Sequence, residues 1–237
     1  MLTSTVRRAL PSWSTPIVQV GASRVVADLR TSLGLTLYRY PFWVDEFQVL
    51  HDRLGHGDVF IDGGANIGLF TLVAAKQVGP LGRVIAVEPG PVCSSLERNV
   101  ELNLFDNVDI VQVALGSTSS VRTLTVFEGD CAGLSSFAPG ITGGVSMDVP
   151  VRRLDDLVPP ELVRRVRLVK LDLEGAEVDA LRGATRLLET SRADFLVEVE
   201  PAHLSRQGAS SDQLLEFFRD FDRSDFTDSP NVLFTRR

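Results

Sequence analysis

Two acidic residues, each placed at the end of an apolar run, are the positions best suited to chemistry in this sequence. Asp62 ends the run Val59-Phe60-Ile61 and opens a glycine turn, Asp62-Gly63-Gly64-Ala65-Asn66-Ile67-Gly68. Twenty residues beyond this turn, Glu88 ends the run Val84-Ile85-Ala86-Val87. In a βαβ unit such a turn admits a ligand close to the backbone, and the later acid binds ribose. The spacing predicts a nucleoside site, with a cationic amine at Asp62 and ribose at Glu88. The alternative is a purely structural turn and an acid near a helix N-terminus.

The turn lacks one glycine of the dinucleotide-binding fingerprint. After Gly64, position 66 is an asparagine, although a pyrophosphate needs close backbone approach there. A nucleoside cofactor without a pyrophosphate is therefore favoured, and S-adenosylmethionine fits. Its amine and carboxylate would lie at the turn, its ribose at Glu88 and its adenine beyond. An NAD(P)-dependent oxidoreductase is the rival enzyme class, and a non-catalytic binding module is the second rival.

A later segment, Lys170 to Glu177, has a dense group of acids, with three in the six residues from Asp172 to Glu177. Asp172 closes an apolar run, so we predict that it points into the same crevice as Asp62 and acts as a catalytic and cofactor-contacting residue. We assign Glu174 to the substrate. For Glu177 a solvated first helical turn is the favoured interpretation. Lys170 lies one strand period before Asp172 and should share its face of the strand. An ion pair of Lys170 inside the sheet is an equally open alternative.

A third set of candidates follows the apolar run Phe195-Leu196-Val197. Glu198 and Glu200 alternate with valines and so share one strand face. A buried carboxylate is costly unless it reaches a crevice or a partner, so both are predicted to line the acceptor pocket. His203 could deprotonate a hydroxyl, because the unperturbed histidine pKa is about 6.5; the alternative is a loop histidine without a task. We predict Glu200 and His203 as catalytic, together with Asp172.

Strand-like and helix-like patterns alternate through most of the chain, which is typical of a mostly parallel sheet covered by helices. The pattern predicts strands at 58–62, 83–88, 108–113, 167–172, 194–200 and 231–236, and helices at 68–78, 91–103, 176–189 and 210–220.

Two further segments are predicted to surround the site. Residues 1–57 form an N-terminal extension that caps it, with strands at 25–29 and 35–40 around a turn and a helix from Asp45 to Leu54. Residues 115–150 form a hairpin-like insertion with a mobile, glycine-rich middle on the substrate side.

Several motifs follow one another along the chain: Asp62 to Gly68, Val87-Glu88-Pro89, Asn99 with Asn103, Ala114-Leu115-Gly116, Leu154-Asp155-Asp156, Lys170 to Glu177, and Leu181-Arg182-Gly183-Ala184. Together and in this order they resemble the FkbM family of class I S-adenosylmethionine-dependent methyltransferases. The resemblance implies a Rossmann-like α/β domain over 58–237, with seven strands and an antiparallel last strand at 231–236. It also implies O-methylation of a hydroxyl on a small natural product or sugar; N-methylation of an amino sugar is the alternative.

The cofactor contacts are predicted from the glycine turn and from the ends of three strands. The adenine side is assigned to Asn107 or to the strand end at 112–114. The predicted contacts are Asp62, Gly63, Gly64, Ala65, Asn66, Gly68, Glu88, Pro89, Asn107, Val113, Ala114 and Asp172.

Composition limits the partners. A net charge of −7 and a pI near 5.0 argue against a nucleic-acid partner, so we expect a small-molecule acceptor. The acids at 172, 198 and 200 have no chelating spacing, and no metal is expected. No apolar run reaches the roughly 20 residues of a membrane span, and two cysteines without a framework favour a cytoplasmic protein. Phe42 and Trp43 could pack against a second subunit.

Overall fold

A computed structural model describes residues 10–11, 13–40, 44–127, 137 and 144–237. The described strands are β1 (Ile17–Val20), β2 (Ser23–Val26), β3 (Val59–Gly63), β4 (Arg83–Val87), β5 (Val108–Val111), β6 (Ala114–Leu115), β7 (Ser120–Val126), β8 (Val145–Arg152), β9 (Val166–Leu171), β10 (Asp194–Glu198), β11 (Phe221–Asp225) and β12 (Asn231–Arg236). The described α-helices are α1 (Ser32–Arg39), α2 (Glu46–Arg53), α3 (Leu69–Val78), α4 (Cys93–Leu102), α5 (Leu154–Leu157), α6 (Glu177–Arg182), α7 (Thr185–Thr190), α8 (Pro201–Arg206) and α9 (Ser211–Leu215).

In the described residues the main sheet has seven strands, in the order β11-β12-β10-β9-β3-β4-β5. The strands from β10 to β5 are parallel, and β12 runs antiparallel to β10, as predicted for the last strand. The fold class is therefore confirmed. Because β3, β4 and β9 are parallel neighbours, their carboxyl ends meet at one edge of the sheet.

Alternate residues of the strands pack into different core clusters on the two faces of the sheet. In β3, Val59 and Ile61 join one cluster and Phe60 joins the other, as the two-residue period of a strand requires. All residues of β3 are buried on both faces, which explains its continuous apolar sequence up to Asp62. The sheet thus carries Asp62 to the edge within a rigid strand.

The N-terminal extension differs from the prediction. Residues 35–40 do not form a strand, because α1 covers 32–39 and begins where the hydroxyl of Thr31 accepts a hydrogen bond from the Gly34 amide at 3.0 Å. The N-terminal hairpin instead pairs β1 with β2. The predicted helix at 45–54 is confirmed as α2. Val25, Leu37 and Phe47 pack into the same core cluster as α3 and α4.

The insertion is a hairpin, as predicted: β7 pairs antiparallel with β8, and β6 adds to β8 in parallel. Its predicted mobile middle lies outside the described residues except for Phe137. Phe42 and Trp43 also lie outside them.

Elsewhere three segments depart from the predicted elements. The helix expected at 176–189 is divided into α6 and α7, a short helix α8 follows β10, and β11 is an additional strand. Across the described part of the chain, no helix is both long and apolar enough to cross a membrane.

Candidate active site

The glycine turn after β3 is fixed to the end of the neighbouring strand β4. The amides of Gly64 and Ala65 both donate to the Val87 carbonyl at 3.0 Å. Gly64 has φ +75, and Gly68, which caps α3, has φ +94. A side chain at Gly68 would bring a Cβ within 2.5 Å of Leu96 Cδ1. The turn therefore needs glycine at these positions, for backbone conformation and for packing.

Glu88 lies at the same edge and is held by the backbone of two turns. Its Oε2 accepts from the Asn66 amide at 3.0 Å and its Oε1 from the Gly90 amide at 2.8 Å. Burial raises the pKa of this carboxyl, and the two N–H groups oppose that effect. An ionised carboxylate has about four acceptor positions, so Glu88 can still accept hydrogen bonds from a diol in the cavity that it lines.

Asp62 lies behind the cavity wall. Its side chain is 1% exposed, its Oδ2 accepts from the Thr71 hydroxyl at 2.6 Å, and its Oδ1 lies 3.7 Å from Lys170 Nζ. Burial raises the pKa of this carboxyl. The prediction that Asp62 points into the crevice is therefore wrong, because the side chain turns inward towards α3 and β9.

The cation beside Asp62 also contacts the acid that closes β9. Lys170 Nζ lies 3.2 Å from Asp172 Oδ2 and 4.9 Å from the centre of the Phe70 ring. Burial acts to lower the pKa of Lys170, but the charges of Asp172 and Asp62 outweigh it and raise that pKa. Lys170 and Asp172 both line the cavity, and Asp172 is 38% exposed in its side chain.

A cavity of about 1580 Å³ opens at this edge. Its lining includes many of the predicted cofactor and substrate residues, namely Gly64, Ala65, Asn66, Glu88, Pro89, Val113, Ala114, Asp172 and Glu174. Gly63 and Gly68 are not among its lining residues and support the turn from behind.

The cavity has further walls, and two of them lie in the segments predicted to surround the site, although none of their individual residues was predicted from the sequence. The N-terminal extension contributes Asp28, Arg30 and Thr31, and α4 contributes Ser95 and Arg98. The insertion hairpin contributes Leu124, Val126 and Met147. These residues carry no motif, because only the folded chain brings the three segments to the same edge.

Asn99 connects the N-terminal wall to the glycine turn. This fully buried side chain accepts from the Val26 amide and donates to the Ile67 carbonyl, both at 2.8 Å. One turn later, Asn103 pairs with both backbone groups of Arg24. The two asparagines thus fix the N-terminal extension against α4 and beside the glycine turn.

Two predicted site residues have other tasks. Asn107 precedes β5 at the opposite, amino end of the sheet, where its amide donates to the carbonyls of Ala75 and Gly79 at 2.8 and 2.9 Å. The prediction that Asn107 contacts adenine is therefore wrong. The other predicted adenine contact, the strand end with Val113 and Ala114, stays a prediction. Glu200 caps α8 by accepting from the Ala202 amide and is not among the residues that line the cavity.

The remaining acids form a cluster around one histidine. His203 Nδ1 lies 3.4 Å from Glu174 Oε2 and 3.2 Å from Glu198 Oε2. Burial, and then the charge of Glu198, raise the pKa of Glu174 to about 7. Burial acts to lower the pKa of His203, but Glu198 and Glu174 outweigh it and raise that pKa. Glu174 lines the cavity, whereas Glu198 and His203 are not among its lining residues, so the prediction that Glu198 lines the acceptor pocket is wrong. Through Glu174 the group can hold or accept a proton near neutral pH at the cavity wall.

Glu177 is buried, and the predicted solvated first turn is wrong. The residue is 1% exposed, and its Oε1 accepts from the amides of Leu173 and Gly175 at 2.7 and 3.3 Å. It thereby fixes the turn that presents Glu174. Burial raises the pKa of Glu177 to about 7.

Glu177→Gln is expected to flatten the pH dependence of stability. Between the ordinary value of 4.5 and about 7 the folded chain binds more protons at this site than the unfolded chain, so stability falls as pH rises and the loss is complete above about pH 7. Relative to the variant, the wild type should lose about 3 kcal/mol of unfolding free energy between pH 4 and 8. Urea unfolding across this range measures the difference, with the exposed Glu189→Gln as control. Parallel curves for the wild type and Glu177→Gln would contradict the assignment.

Among the described residues, no three His, Cys, Asp or Glu side chains form a group that could hold a metal ion.

Comparison with known proteins gives a consistent family. Residues 62–224 match the model described as the methyltransferase FkbM domain. Methyltransferase sdnD of Sordaria araneosa is 32% identical in an alignment of 154 positions that covers 52% of this chain and 59% of sdnD. The 31-O-demethyl-FK506 methyltransferase FkbM of Streptomyces tacrolimicus is 30% identical in an alignment of 190 positions that covers 67% of this chain and 71% of that protein. The match therefore spans about three fifths of sdnD.

A solved structure shares the fold. The crystal structure of methyltransferase FkbM from Methylobacillus flagellatus KT aligns with a TM-score of 0.52 at 16% identity, over 79% of this chain and 50% of that chain.

Proposed function

This chain belongs to the FkbM family of methyltransferases, and we propose on that premise that it transfers a methyl group from S-adenosylmethionine to a hydroxyl of a small natural product or sugar. One observation carries the proposal: the glycine turn, Glu88 and Glu174 line one cavity, and His203, which is paired with Glu198, contacts Glu174. A nucleoside holder and a proton acceptor are thus close together. The name of the S. tacrolimicus relative specifies a 31-O-methyl group, which supports oxygen as the acceptor atom.

The residues at this edge fit the cofactor. Glu88 would accept from the ribose hydroxyls, and the glycine turn would admit the methionine part close to the backbone. Val113 and Ala114, at the end of the next strand, would contact the adenine. When bound, the cofactor supplies a methyl group already activated by a positive sulfur.

The protein then has to align the acceptor oxygen and remove its proton. Alignment supplies roughly 7–11 kcal/mol by effective-molarity arguments, and a general base adds about 10²–10⁴-fold. Glu174 lines the cavity and would receive the hydroxyl proton, with His203 and Glu198 holding it in position. Because the net charge of the chain is −7, the proposed acceptor is a small molecule without a long polyanionic backbone.

Glu88→Gln is expected to weaken binding of S-adenosylhomocysteine about 10–100-fold, because a hydrogen bond to a charged group contributes about 1.5–3 kcal/mol. Titration calorimetry measures the affinity, and Glu97→Gln on the exposed side of α4 is the matched control. An unchanged affinity in Glu88→Gln would refute the ribose assignment.

Two further measurements test the reaction class. S-adenosylhomocysteine, and not NADH, should raise the melting temperature of the wild type. Radiolabel should pass from S-adenosyl-[methyl-³H]methionine into a small-molecule acceptor. Stabilisation by NADH would favour the oxidoreductase, and nitrogen-linked label would favour the amino-sugar alternative.

A further inference from the structure

The Lys170–Asp172 pair is an ion pair at the cavity wall. Both residues line the cavity beside the glycine turn. The turn and the pair are locked together, because a Cβ on Gly64 would lie 1.9 Å from the Asp172 carbonyl oxygen and the Asp172 amide donates to the Gly63 carbonyl at 3.1 Å. Anything held by the turn therefore lies next to both charges.

The ammonium of Lys170 is supported from behind. Asp62, which is fully buried, lies 3.7 Å from Nζ, and its Oδ1 has no hydrogen-bond partner among the described residues. Asp62 thus contributes negative charge without engaging an N–H of Lys170. An ammonium has three donors, so Lys170 can contact Asp172 and still bind an anionic group of a ligand.

The side chains of Asp172 and Lys170 differ in their exposure to solvent. The Asp172 side chain is 38% exposed, whereas that of Lys170 is 3% exposed. Asp172 can therefore turn towards a cation in the cavity without breaking the core. If it does, Lys170 keeps Asp62 as its counter-charge and has a donor available for a carboxylate. An ammonium and a carboxylate on one carbon are the two groups that this pair complements.

We propose that Lys170 and Asp172 form the receptor for the amino-acid end of the cofactor, with Asp172 binding its α-ammonium and Lys170 its α-carboxylate. The assignment rests on the proposed function and gives the amine to Asp172, in place of the buried Asp62. It leaves the proton of the acceptor hydroxyl to Glu174.

Three adenosine ligands test the assignment by titration calorimetry on the full chain. S-adenosylhomocysteine has both groups, decarboxylated S-adenosylmethionine has only the ammonium, and methylthioadenosine has neither. Asp172→Asn is expected to weaken the binding of S-adenosylhomocysteine and of decarboxylated S-adenosylmethionine about 10–100-fold. The affinity for methylthioadenosine should stay within about twofold of the wild-type value. The matched control is Asp179→Asn, since Asp179 is 33% exposed and also paired with a cation, Arg122.

A second variant tests the cation. Lys170→Met combined with Asp62→Asn removes Lys170 together with the buried charge behind it. The double variant should bind S-adenosylhomocysteine about 10–100-fold more weakly than the wild type does. It should bind decarboxylated S-adenosylmethionine and methylthioadenosine with the affinity of the wild type.

The outcomes separate the two proposals. If the wild type binds none of the three ligands, the proposed function falls, and this assignment with it. If the wild type binds them but Asp172→Asn keeps full affinity for S-adenosylhomocysteine, or loses all three ligands equally, only the receptor assignment is overturned.

Discussion

Replacing Lys170 with methionine is expected to lower the free energy of unfolding by about 3–5 kcal/mol at pH 8, the range found when one partner of a buried ion pair is removed. Methionine matches the length of the lysine stem, so packing is largely kept and the charge is the main change. Asp62 is then left without its cation, with a side chain that is 1% exposed and that accepts a hydrogen bond from the Thr71 hydroxyl.

The pH dependence of this loss identifies its cause. Burial already raises the pKa of Asp62 above its ordinary value, and losing the cation raises it further. Between the unfolded and folded pKa values the folded chain binds more protons, so the stability of the variant falls as pH rises. The deficit relative to the wild type should therefore be smaller at pH 5 than at pH 8.

A double variant provides the control. Lys170→Met with Asp62→Asn removes both buried charges, and replacing a whole buried pair is often neutral. Urea unfolding at pH 8 should show most of the lost stability restored. A single variant that costs less than about 1 kcal/mol, or a double variant that recovers nothing, would show that Lys170 and Asp62 are not coupled.

The sequence predicted the parts of the fold whose signal is local and periodic. Strand β3, the turn at 62–68 and Glu88 follow from apolar runs, glycines and spacing. Helix α1 shows the opposite case, a segment whose structure depends on packing and not on a local pattern. Gly34 belongs to the segment predicted to be a turn between strands at 25–29 and 35–40, but it lies inside the helix, where any Cβ would be 2.1 Å from the Asp28 carbonyl oxygen. A glycine required by packing and a glycine required by a turn look the same in sequence.

Strand β11 was missed for a different reason. Its burial pattern shows one buried residue followed by four exposed ones, because an edge strand packs little and is often charged. Such a strand has no apolar alternation. It is specified by pairing with β12, which no local pattern reports.

Among the site residues, sequence located the edge and could not assign directions. Asp62 and Asp172 both end apolar runs, yet one turns inward and the other faces the cavity. Asn107 stands just before a strand, and only the parallel pairing of β5 with β4 places it at the wrong end of the sheet for a ligand. Glu177 was assigned to solvent by its helix position, whereas the turn at 173–175 buries it. Strand ends are readable in sequence, and side-chain direction at those ends depends on tertiary neighbours.

Gly64→Ala is expected to abolish cofactor binding, with at least a 100-fold loss of affinity for S-adenosylhomocysteine, and to destabilise the fold by about 3 kcal/mol or more. Alanine at φ +75 costs about 1–2 kcal/mol, and its Cβ would lie 1.9 Å from the backbone oxygen of Asp172. A backbone atom cannot rotate away as a side chain can. The turn must therefore separate from the end of β9, which displaces the Gly64 and Ala65 amides from Val87.

Gly208→Ala is the matched control, because Gly208 has the same φ of +75 and a Cβ there would meet no atom of the described residues within 4 Å. It should show the conformational cost alone, about 1–2 kcal/mol, with cofactor affinity unchanged. Thermal unfolding should place the melting temperature of Gly64→Ala several degrees below that of Gly208→Ala. Calorimetry with S-adenosylhomocysteine should show wild-type affinity for Gly208→Ala and no binding for Gly64→Ala. Equal behaviour of the two would mean that the left-handed backbone, and not close approach to β9, is what the turn requires of Gly64.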